Sequence, residues 1–332
     1  MRHQSFSRAV QLGRGIGLLS ATSVASLAAL ALWPIDLAHL TARPNPTHSY
    51  DTALARLRAF ELPETDGNVA AYGRTRLLAH GQATKRVIVL IHGMTNCPEQ
   101  YVKLAPQFHA QGYTVLVPRM PLHGLRDRNT SAMGALTAAQ LCQYADTAID
   151  IACGLGEHVT VAGISAGGVI AAWLCQQRAD VDLAVQIASA FRTHQVPAAI
   201  NTMAMRLACR LPNMQVPING GLDHGYTSHS TRGFAEVMKL GQAVRQQSQR
   251  HPPAARAALV ITNACDNVDN GLTMDLLARW QQHGLQPTAH YEFPRELGFD
   301  HDIIDPAQPD QHTDYVYPTL REQIDRMTRS SP

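Results

Sequence analysis

The sequence VTVAGISAGGVIAAWLCQQR (residues 159–178) joins a run of β-branched residues directly to a helical segment. Ser165 stands at the junction, which is the strand–turn–helix setting that a nucleophile elbow requires. Such a turn strains the backbone at the serine, so its close neighbours have to be small. The four nearest small residues are Gly163, Ala166, Gly167 and Gly168. The stretch therefore predicts a Ser165 hydroxyl raised above a sheet edge, at the positive end of a helix, as a nucleophile.

The glycine-rich turn has two other interpretations. One is a site where a helix simply packs closely on a strand. The other is a dinucleotide-binding loop, which needs the first strand of its domain and an acidic residue at the end of the next strand. Here several strands come earlier, and Asp180 and Asp182 precede the next strand. The sequence therefore favours the nucleophile.

Strands alternate with helices on both sides of this turn. Runs of branched apolar residues occur in KRVIVLIHG (85–93), YTVLVPRM (113–120), DLAVQIAS (182–189) and AALVITNA (257–264), with helical patterns between most of them. This order predicts an α/β fold with mostly parallel strands covered by helices on both faces. The connection over 191–256 is far longer than a usual link, which indicates an inserted helical cap.

One helix has signals for both of its ends. The segment 136–156 carries Thr137 and Gln140 at the spacing of a capping box, which predicts the start of the helix. Gly154 is predicted to end it.

A serine nucleophile needs a base, and the base needs an acid that orients it. In this topology the order along the chain is serine, acid, histidine, each just after a strand. Asp266 follows the strand in LVITNACDNVDN directly, and Asp269 comes three residues later. Asp266 is favoured as the acid, while Asp269 remains the alternative and is better placed to cap the next helix. His301, in a loop after the last strand, is the candidate base.

Acyl transfer also needs hydrogen-bond donors for the oxyanion of the tetrahedral intermediate. The strand in LIHGMTNCPEQY ends at His92, so the backbone N–H of Met94 can point at the site. The N–H of Ala166 is predicted to be the second donor. His92 is predicted to orient this loop by hydrogen bonding, and His123 is predicted to be structural.

The N-terminus differs from the rest of the chain. Arg2, Arg8 and Arg14 precede an uncharged run over 15–35 that is long enough, at about 1.5 Å per residue, to cross a hydrocarbon layer of about 30 Å. An uncleaved membrane anchor with an exported domain is favoured, periplasmic if the source is bacterial. The alternative is a signal peptide cleaved after Ala25, which would give a secreted protein.

The predicted organisation has five parts. They are an N-terminal anchor or signal segment (1–40), a tether (41–65), a first core part (66–190), the cap (191–256) and a second core part (257–332). The six cysteines show no tight framework and no zinc spacing, so most are expected to be buried thiols, with some pairing left open.

In order along the chain, VIVLIHGMTNCPEQY, YTVLVPRMPLHG, VTVAGISAGG, TNACD and FDHDIID resemble the α/β-hydrolase superfamily. The similarity is to its carboxylesterase, monoacylglycerol-lipase-like and serine-aminopeptidase-like branch, and it spans about residues 66–325. The resemblance implies an eight-stranded, mostly parallel sheet, a Ser–His–Asp mechanism and no cofactor. The compact acidic loop leaves the choice between Asp266 and Asp269 open.

The composition limits the classes of substrate and partner that are expected. Charged residues are 16% of the chain, the net charge is +2 and the basic residues are scattered, so nucleic acid is not expected as a partner. Met203, Met205 and Met214 in the cap suit an adaptable acyl pocket, or else form the cap's own core. No metal is expected. The expected activity is hydrolysis of a small apolar carboxylic ester, with a transferase or peptidase using the same residues, or a non-catalytic binding protein, as alternatives.

Overall fold

The computed structural model describes residues 26–218 and 221–330. The strands in chain order are β1 (Arg76–Leu78), β2 (Thr84–Ile91), β3 (Tyr113–Val117), β4 (Gly156–Ile164), β5 (Leu183–Ile187), β6 (Gln215–Pro217), β7 (Ser228–Ser230), β8 (Ala258–Asn263) and β9 (Thr288–Phe293). Within the described residues, seven of them form one sheet in the order β1-β3-β2-β4-β5-β8-β9. β1 is antiparallel to β3, the other neighbours are parallel, and β6 and β7 form a separate antiparallel pair.

Helices cover both faces of this sheet, as the alternating pattern predicts. The α-helices are α1 (Tyr50–Glu61), α2 (Leu104–Ala110), α3 (Ala138–Leu155), α4 (Ala166–Gln177), α5 (Asn201–Arg210), α6 (Thr231–Gln247), α7 (Asn270–Gln282) and α8 (Thr313–Ser330). One apolar core contains residues of α3, α4, α6 and α7, and a second contains residues of α2 and α8. The predicted α/β fold is confirmed.

The sheet of the described residues has seven strands, where the resemblance implied eight. The residues directly before β1 pair with the loop after β3 and not with the sheet edge. Ala70 N–H donates to Gly124 O at 2.9 Å, and Val69 forms an isolated bridge with Leu125. A short 3₁₀ helix, Ala71–Gly73, then leads into β1.

Helix α3 begins as predicted but ends later than predicted. Thr137 and Gln140 form the capping box. Gly154 does not stop the helix, because its role is close packing: a Cβ there would lie 2.5 Å from Ser49 O and 2.5 Å from Thr47 Oγ1. The glycine therefore allows the segment before α1 to cross the helix at short distance.

The segment predicted as a tether lies on α3 through a buried ionic cluster. The Arg178 side chain has no solvent exposure and donates to Asp146, Asp150 and Asp180 at 2.6–2.9 Å. Backbone N–H groups of the segment complete the cluster, because Arg43 N–H donates to Asp146 Oδ2 at 2.8 Å. The buried carboxylates are therefore hydrogen-bonded as well as paired, which burial of charge requires.

Contacts to the rest of the fold begin before residue 41. Leu40 is fully buried, and its carbonyl accepts a hydrogen bond from Trp173 Nε1 at 3.1 Å. The end of the predicted N-terminal segment thus packs on the core, while the other predicted boundaries remain predictions.

The chain between β5 and β8 contains α5, the β6–β7 hairpin and α6. Helix α6 packs on α4, so part of this insertion also covers the sheet. Ser230 caps α6 by accepting the Gly233 N–H at 3.0 Å.

The predicted membrane-crossing run, 15–35, begins outside the described residues. Residues 26–32 are helical. Within 26–218 and 221–330, the helices are all too short or too polar to span a membrane.

The six cysteines are all free thiols. Cys97, Cys142 and Cys175 are buried, and burial raises the pKa of the Cys142 thiol to about 12. The expectation of buried thiols holds for these three, and the pairing left open by the sequence is not formed.

Candidate active site

Ser165 stands on a sharp turn between β4 and α4, as the sequence predicts. Its φ of 59° and ψ of −116° are strained for a residue with a side chain. The turn needs glycines because the backbones almost touch: a Cβ on Gly163 would lie 2.1 Å from Gly167 O, and one on Gly167 would lie 2.2 Å from Ile91 O. The Ser165 N–H donates to Ile187 O at 2.9 Å, which fixes the turn on β5. The hydroxyl is held at the carboxyl edge of the parallel strands.

His301 and Asp266 meet Ser165 at this edge. His301 Nε2 lies 2.8 Å from Ser165 Oγ, and His301 Nδ1 lies 2.7 Å from Asp266 Oδ1. The Asp266 side chain is fully buried, and its Oδ1 also accepts the Val268 N–H at 3.1 Å. Ser165, Asp266 and His301, the three residues that the sequence predicts, thus meet although Ser165 and His301 are 136 residues apart in the chain.

The hydrogen bonds fix the tautomer of His301. A carboxylate can only accept, so the Nδ1–H donates to Asp266 and the Nε2 lone pair faces the Ser165 hydroxyl. Burial lowers the pKa of His301, but it is outweighed by the hydrogen bond and negative charge of Asp266 together with the negative charges of Asp302 and Asp300. The net result is a pKa above the ordinary value, which suits a group that has to accept a proton.

Asp269, the alternative acid, lies elsewhere. It is the N-cap of α7, where its Oδ1 accepts the Gly271 N–H at 3.0 Å. Its Oδ2 accepts hydrogen bonds from the Arg192 guanidinium. Both carboxylate oxygens are therefore used in structural contacts, as the capping interpretation predicted.

Met94 and Ala166, the predicted oxyanion donors, follow β2 and Ser165 respectively. Ala166 is the first residue of α4, so its N–H has no partner within the helix. Among the described residues, no acceptor is bonded to the N–H of either residue. Gly93 O accepts from His92 Nδ1 at 2.9 Å. Because C=O and N–H point in opposite directions across a trans peptide, this bond turns the Met94 N–H away from His92.

Two buried histidines hold the loops around the site, in the roles the sequence predicted for them. His92 Nε2 accepts the Met120 N–H at 3.1 Å, which joins the loop after β2 to the loop after β3. His123 Nε2 lies 2.6 Å from Met94 O. Burial lowers the pKa of His92 well below its ordinary value, so that ring is neutral, and burial lowers the pKa of His123 to about 4. Neutrality is necessary for His92, because its Nε2 has to accept.

A polar network that the sequence does not predict lies beside this site. Asn96 and Gln100, in the loop after β2, donate to carboxylates of the loop that carries His301. Those carboxylates are Asp305, which Asn96 reaches at 2.7 Å, and Asp302, which Gln100 reaches at 2.8 Å. His224, in the insertion, lies 2.7 Å from Asp305 Oδ2. The sequence carries only a weak signal for this network, because amide and carboxylate side chains are common in loops.

The three predicted pocket methionines have different surroundings, and their place in a pocket remains a prediction. Met205 packs with Ala235 and Met238 in a small cluster of the insertion, as the alternative interpretation expected. Met203 and Met214 are exposed to solvent at 37% and 64%. A groove of about 750 Å³ lies between residues 39–60 and α3, and its lining contains none of the residues around Ser165.

The geometry defines a class of protein. A strained serine, a histidine oriented by a buried carboxylate and two free amide donors, all at the carboxyl edge of a mostly parallel sheet, are the parts of an α/β-hydrolase. The family model described as serine aminopeptidase, S33, matches residues 82–270, more than half of the chain. The chain belongs to that family.

Solved structures show the same fold. One is from work on two metagenome-derived lipolytic enzymes, with 18% identity, a TM-score of 0.60 and coverage of 79% of this chain and 99% of that one. A monoacylglycerol lipase of Paleococcus ferrophilus has 16% identity, a TM-score of 0.56 and coverage of 76% and 98%. A monoglyceride lipase of Saccharomyces cerevisiae, a soluble variant with a substrate analogue, has 14% identity, a TM-score of 0.58 and coverage of 78% and 92%. No curated protein sequence matches the chain.

Proposed function

We propose that this protein hydrolyses carboxylic esters with apolar acyl groups through an acyl-enzyme on Ser165. The observation that carries the proposal is the position of His301, with Nε2 at 2.8 Å from Ser165 Oγ and Nδ1 at 2.7 Å from Asp266 Oδ1. A serine in this setting gains a base at the moment it attacks.

The steps follow from the atoms present. Ser165 Oγ attacks the ester carbonyl carbon while its proton passes to His301 Nε2, and the carbonyl oxygen becomes an oxyanion facing the amides of Met94 and Ala166. When the tetrahedral intermediate collapses, the C–O bond to the alcohol breaks and His301 returns the proton to the leaving oxygen. Water then attacks the acyl carbon while its proton passes to His301 Nε2. When this second tetrahedral intermediate collapses, the bond from the acyl carbon to Ser165 Oγ breaks, His301 returns the proton to Oγ, and the acid is released.

Ester hydrolysis is favoured over the alternatives by the relatives. The solved structures named above are described as lipolytic enzymes and as mono-acylglycerol lipases. The family name, in contrast, keeps a peptidase as the second candidate. A purely binding protein is not favoured, because it has no need for a base hydrogen-bonded to the serine.

The chemistry is tested with matched substrates. The full-length protein is assayed on p-nitrophenyl esters of increasing acyl length, on the p-nitroanilides of the same acids, and on the best ester with added glycerol. We expect turnover of the esters, with a chain-length optimum that measures the pocket, and release of free acid with or without glycerol. Turnover of the anilides alone would replace the esterase by a peptidase, and acyl glycerol as the main product would replace it by a transferase.

We also propose that the chain is held at the membrane by its N-terminal segment, with the hydrolase domain exported. The support is the basic residues before the apolar run and the surface next to it. Leu27, Leu32 and Trp33 are exposed at 45%, 62% and 70%. Arg210 of α5 donates to Leu30 O at 2.7 Å, so the end of this segment lies against the insertion. An exposed tryptophan at the end of an apolar helix is typical of a membrane–water interface.

The location is tested by fractionation of bacteria that express the full-length chain. We expect the protein to stay in the membrane fraction after a carbonate wash. Its intact mass should show that the N-terminal residues are retained. Protease added to spheroplasts should digest the hydrolase domain. A soluble product that begins at Ser26 would instead support the cleaved signal. Protection from protease would contradict export in either form.

A further inference from the structure

Gln100 forms a bridge between the two loops that carry the reacting groups. Its side chain is 2% exposed, and its Oε1 accepts the Gly93 N–H at 2.8 Å. Its Nε2 donates to Asp302 Oδ1, also at 2.8 Å. The carboxylate is the immediate neighbour of His301. One side chain thus connects the loop of the oxyanion donor to the loop of the base.

The bridge acts on Gly93, the most flexible residue of the loop after β2. This loop carries the Met94 N–H and is called the oxyanion loop below. Gly93 has no side chain, so its backbone dihedrals are weakly restrained by its own sterics. The peptide before it is fixed by Gln100, and the peptide after it is fixed by His92 at Gly93 O. With both peptide planes held, the direction of the Met94 N–H is set before a substrate arrives, which is the condition for a donor to stabilise an oxyanion.

The other end of the bridge is equally fixed. Asp302 Oδ1 accepts the N–H groups of Ile304 at 3.2 Å and Asp305 at 3.1 Å, so the carboxylate is held by its own loop. Its Oδ2 accepts Gln308 Nε2 at 3.1 Å. A movement of the His301 loop is therefore transmitted through Asp302 and Gln100 to Gly93.

The chemistry of the bridge requires an amide. At position 100 the side chain has to accept from a backbone N–H at one end and donate to a carboxylate at the other, and only an amide of this length does both. A glutamate there would face Asp302 with like charge, and a leucine would leave the Gly93 N–H buried without a partner.

We propose that Gln100 and Asp302 are positioning residues that fix the direction of the Met94 N–H relative to His301. This rests on the proposed function of Ser165, His301 and Met94. Neither residue is hydrogen-bonded to Ser165 or His301, so the hydrogen bonds of the bridge affect the transition state through the loops that they join, in addition to the charge of Asp302 that raises the His301 pKa.

The test compares Gln100→Leu with Gln308→Leu in the full-length protein. Gln308 also donates to Asp302 but does not contact the oxyanion loop, so it is the matched control. We expect Gln100→Leu to lower kcat about ten- to a hundredfold, because small misplacement of a catalytic group has costs of this size. KM should change by less than about threefold, since substrate binding in the ground state is not altered. Gln308→Leu should keep kcat near that of the wild type.

Two further measurements separate positioning from stability. The affinity for an alkyl boronic acid, which forms a tetrahedral adduct with an oxyanion, should fall by the same factor as kcat/KM. The rate of Ser165 labelling by a fluorophosphonate should fall in parallel, and needs no ester turnover. In Gln100→Glu the side chain keeps its size, so this variant replaces Gln100→Leu in the test if Gln100→Leu does not fold. We expect it to impair boronate affinity and labelling in the same direction.

The outcomes distinguish the two proposals. If Gln100→Leu and Gln100→Glu fold with unchanged boronate affinity and labelling, or if Gln308→Leu loses as much, Gln100 is only part of the fold and the inference is overturned. If the wild type is labelled at Ser165 but hydrolyses no ester, the proposed function fails while the labelling rates still test the bridge. If the wild type is not labelled, both are overturned.

Discussion

Replacement of Ser165 by alanine is expected to lower kcat/KM for the best p-nitrophenyl ester by at least about a thousandfold. The reason is that Ser165 Oγ is the atom proposed to form the bond to the acyl carbon, and His301 Nε2 faces it at 2.8 Å. Residual hydrolysis would come from the oxyanion donors and from substrate binding, which remain in the variant.

We expect the variant to keep the fold, so that the loss can be assigned to chemistry. Alanine has the backbone preferences of any residue with a Cβ, so the strained φ of 59° costs the variant about what it costs the serine. The measurement is kcat/KM together with thermal unfolding of the wild type, Ser165→Ala and Ser189→Ala. Ser189 is a buried serine of the neighbouring loop, and its substitution should leave kcat/KM within about threefold, as expected away from reacting groups. Equal activity of Ser165→Ala and wild type would remove Ser165 as the nucleophile.

The parts of the site that the sequence predicted share one property: they are dictated by local sterics or by order along the chain. Gly163 and Gly167 are required because a Cβ on either would lie 2.1–2.2 Å from a backbone oxygen, so the turn is visible as a pattern of small residues. His301 was selected from sixteen histidines by its place after the last strand. The α/β alternation was equally direct, because buried parallel strands have long runs of branched apolar residues.

The parts that it missed depend on contacts between distant segments. The bonds of Gln100 and Asn96 to the His301 loop span more than 200 residues of chain, and a glutamine or asparagine in a loop carries no mark of its partner. The prediction of a helix end at Gly154 fails for the same reason, because the packing of this glycine against Ser49 is also long-range. The cap methionines were ambiguous for the same reason: hydrophobicity predicts burial, but it does not predict whether Met205 packs inside the insertion or lines a pocket.

The choice between Asp266 and Asp269 gives the second large expected effect. We expect Asp266→Ala to lower kcat/KM about ten thousandfold, a size typical of losing the acid of such a triad. The carboxylate fixes the Nδ1–H tautomer of His301 and stabilises the imidazolium that forms when Ser165 attacks. Asp269→Ala should instead leave kcat within about threefold and lower the free energy of unfolding by about 1–2 kcal/mol, because it removes the N-cap of α7.

Asp266→Asn separates orientation from charge. Asp266 Oδ1 accepts two N–H groups, from His301 and Val268, while the buried Oδ2 has no partner among the described residues. An asparagine amide oxygen can take the place of Oδ1 and keep both bonds, so the His301 tautomer is retained and the negative charge is lost. We therefore expect Asp266→Asn to keep more activity than Asp266→Ala, and to shift the acid limb of the kcat/KM profile to lower pH, because the charge that raises the His301 pKa is gone. Equal activity of the two variants, or a large loss in Asp269→Ala alone, would contradict this assignment of the acid.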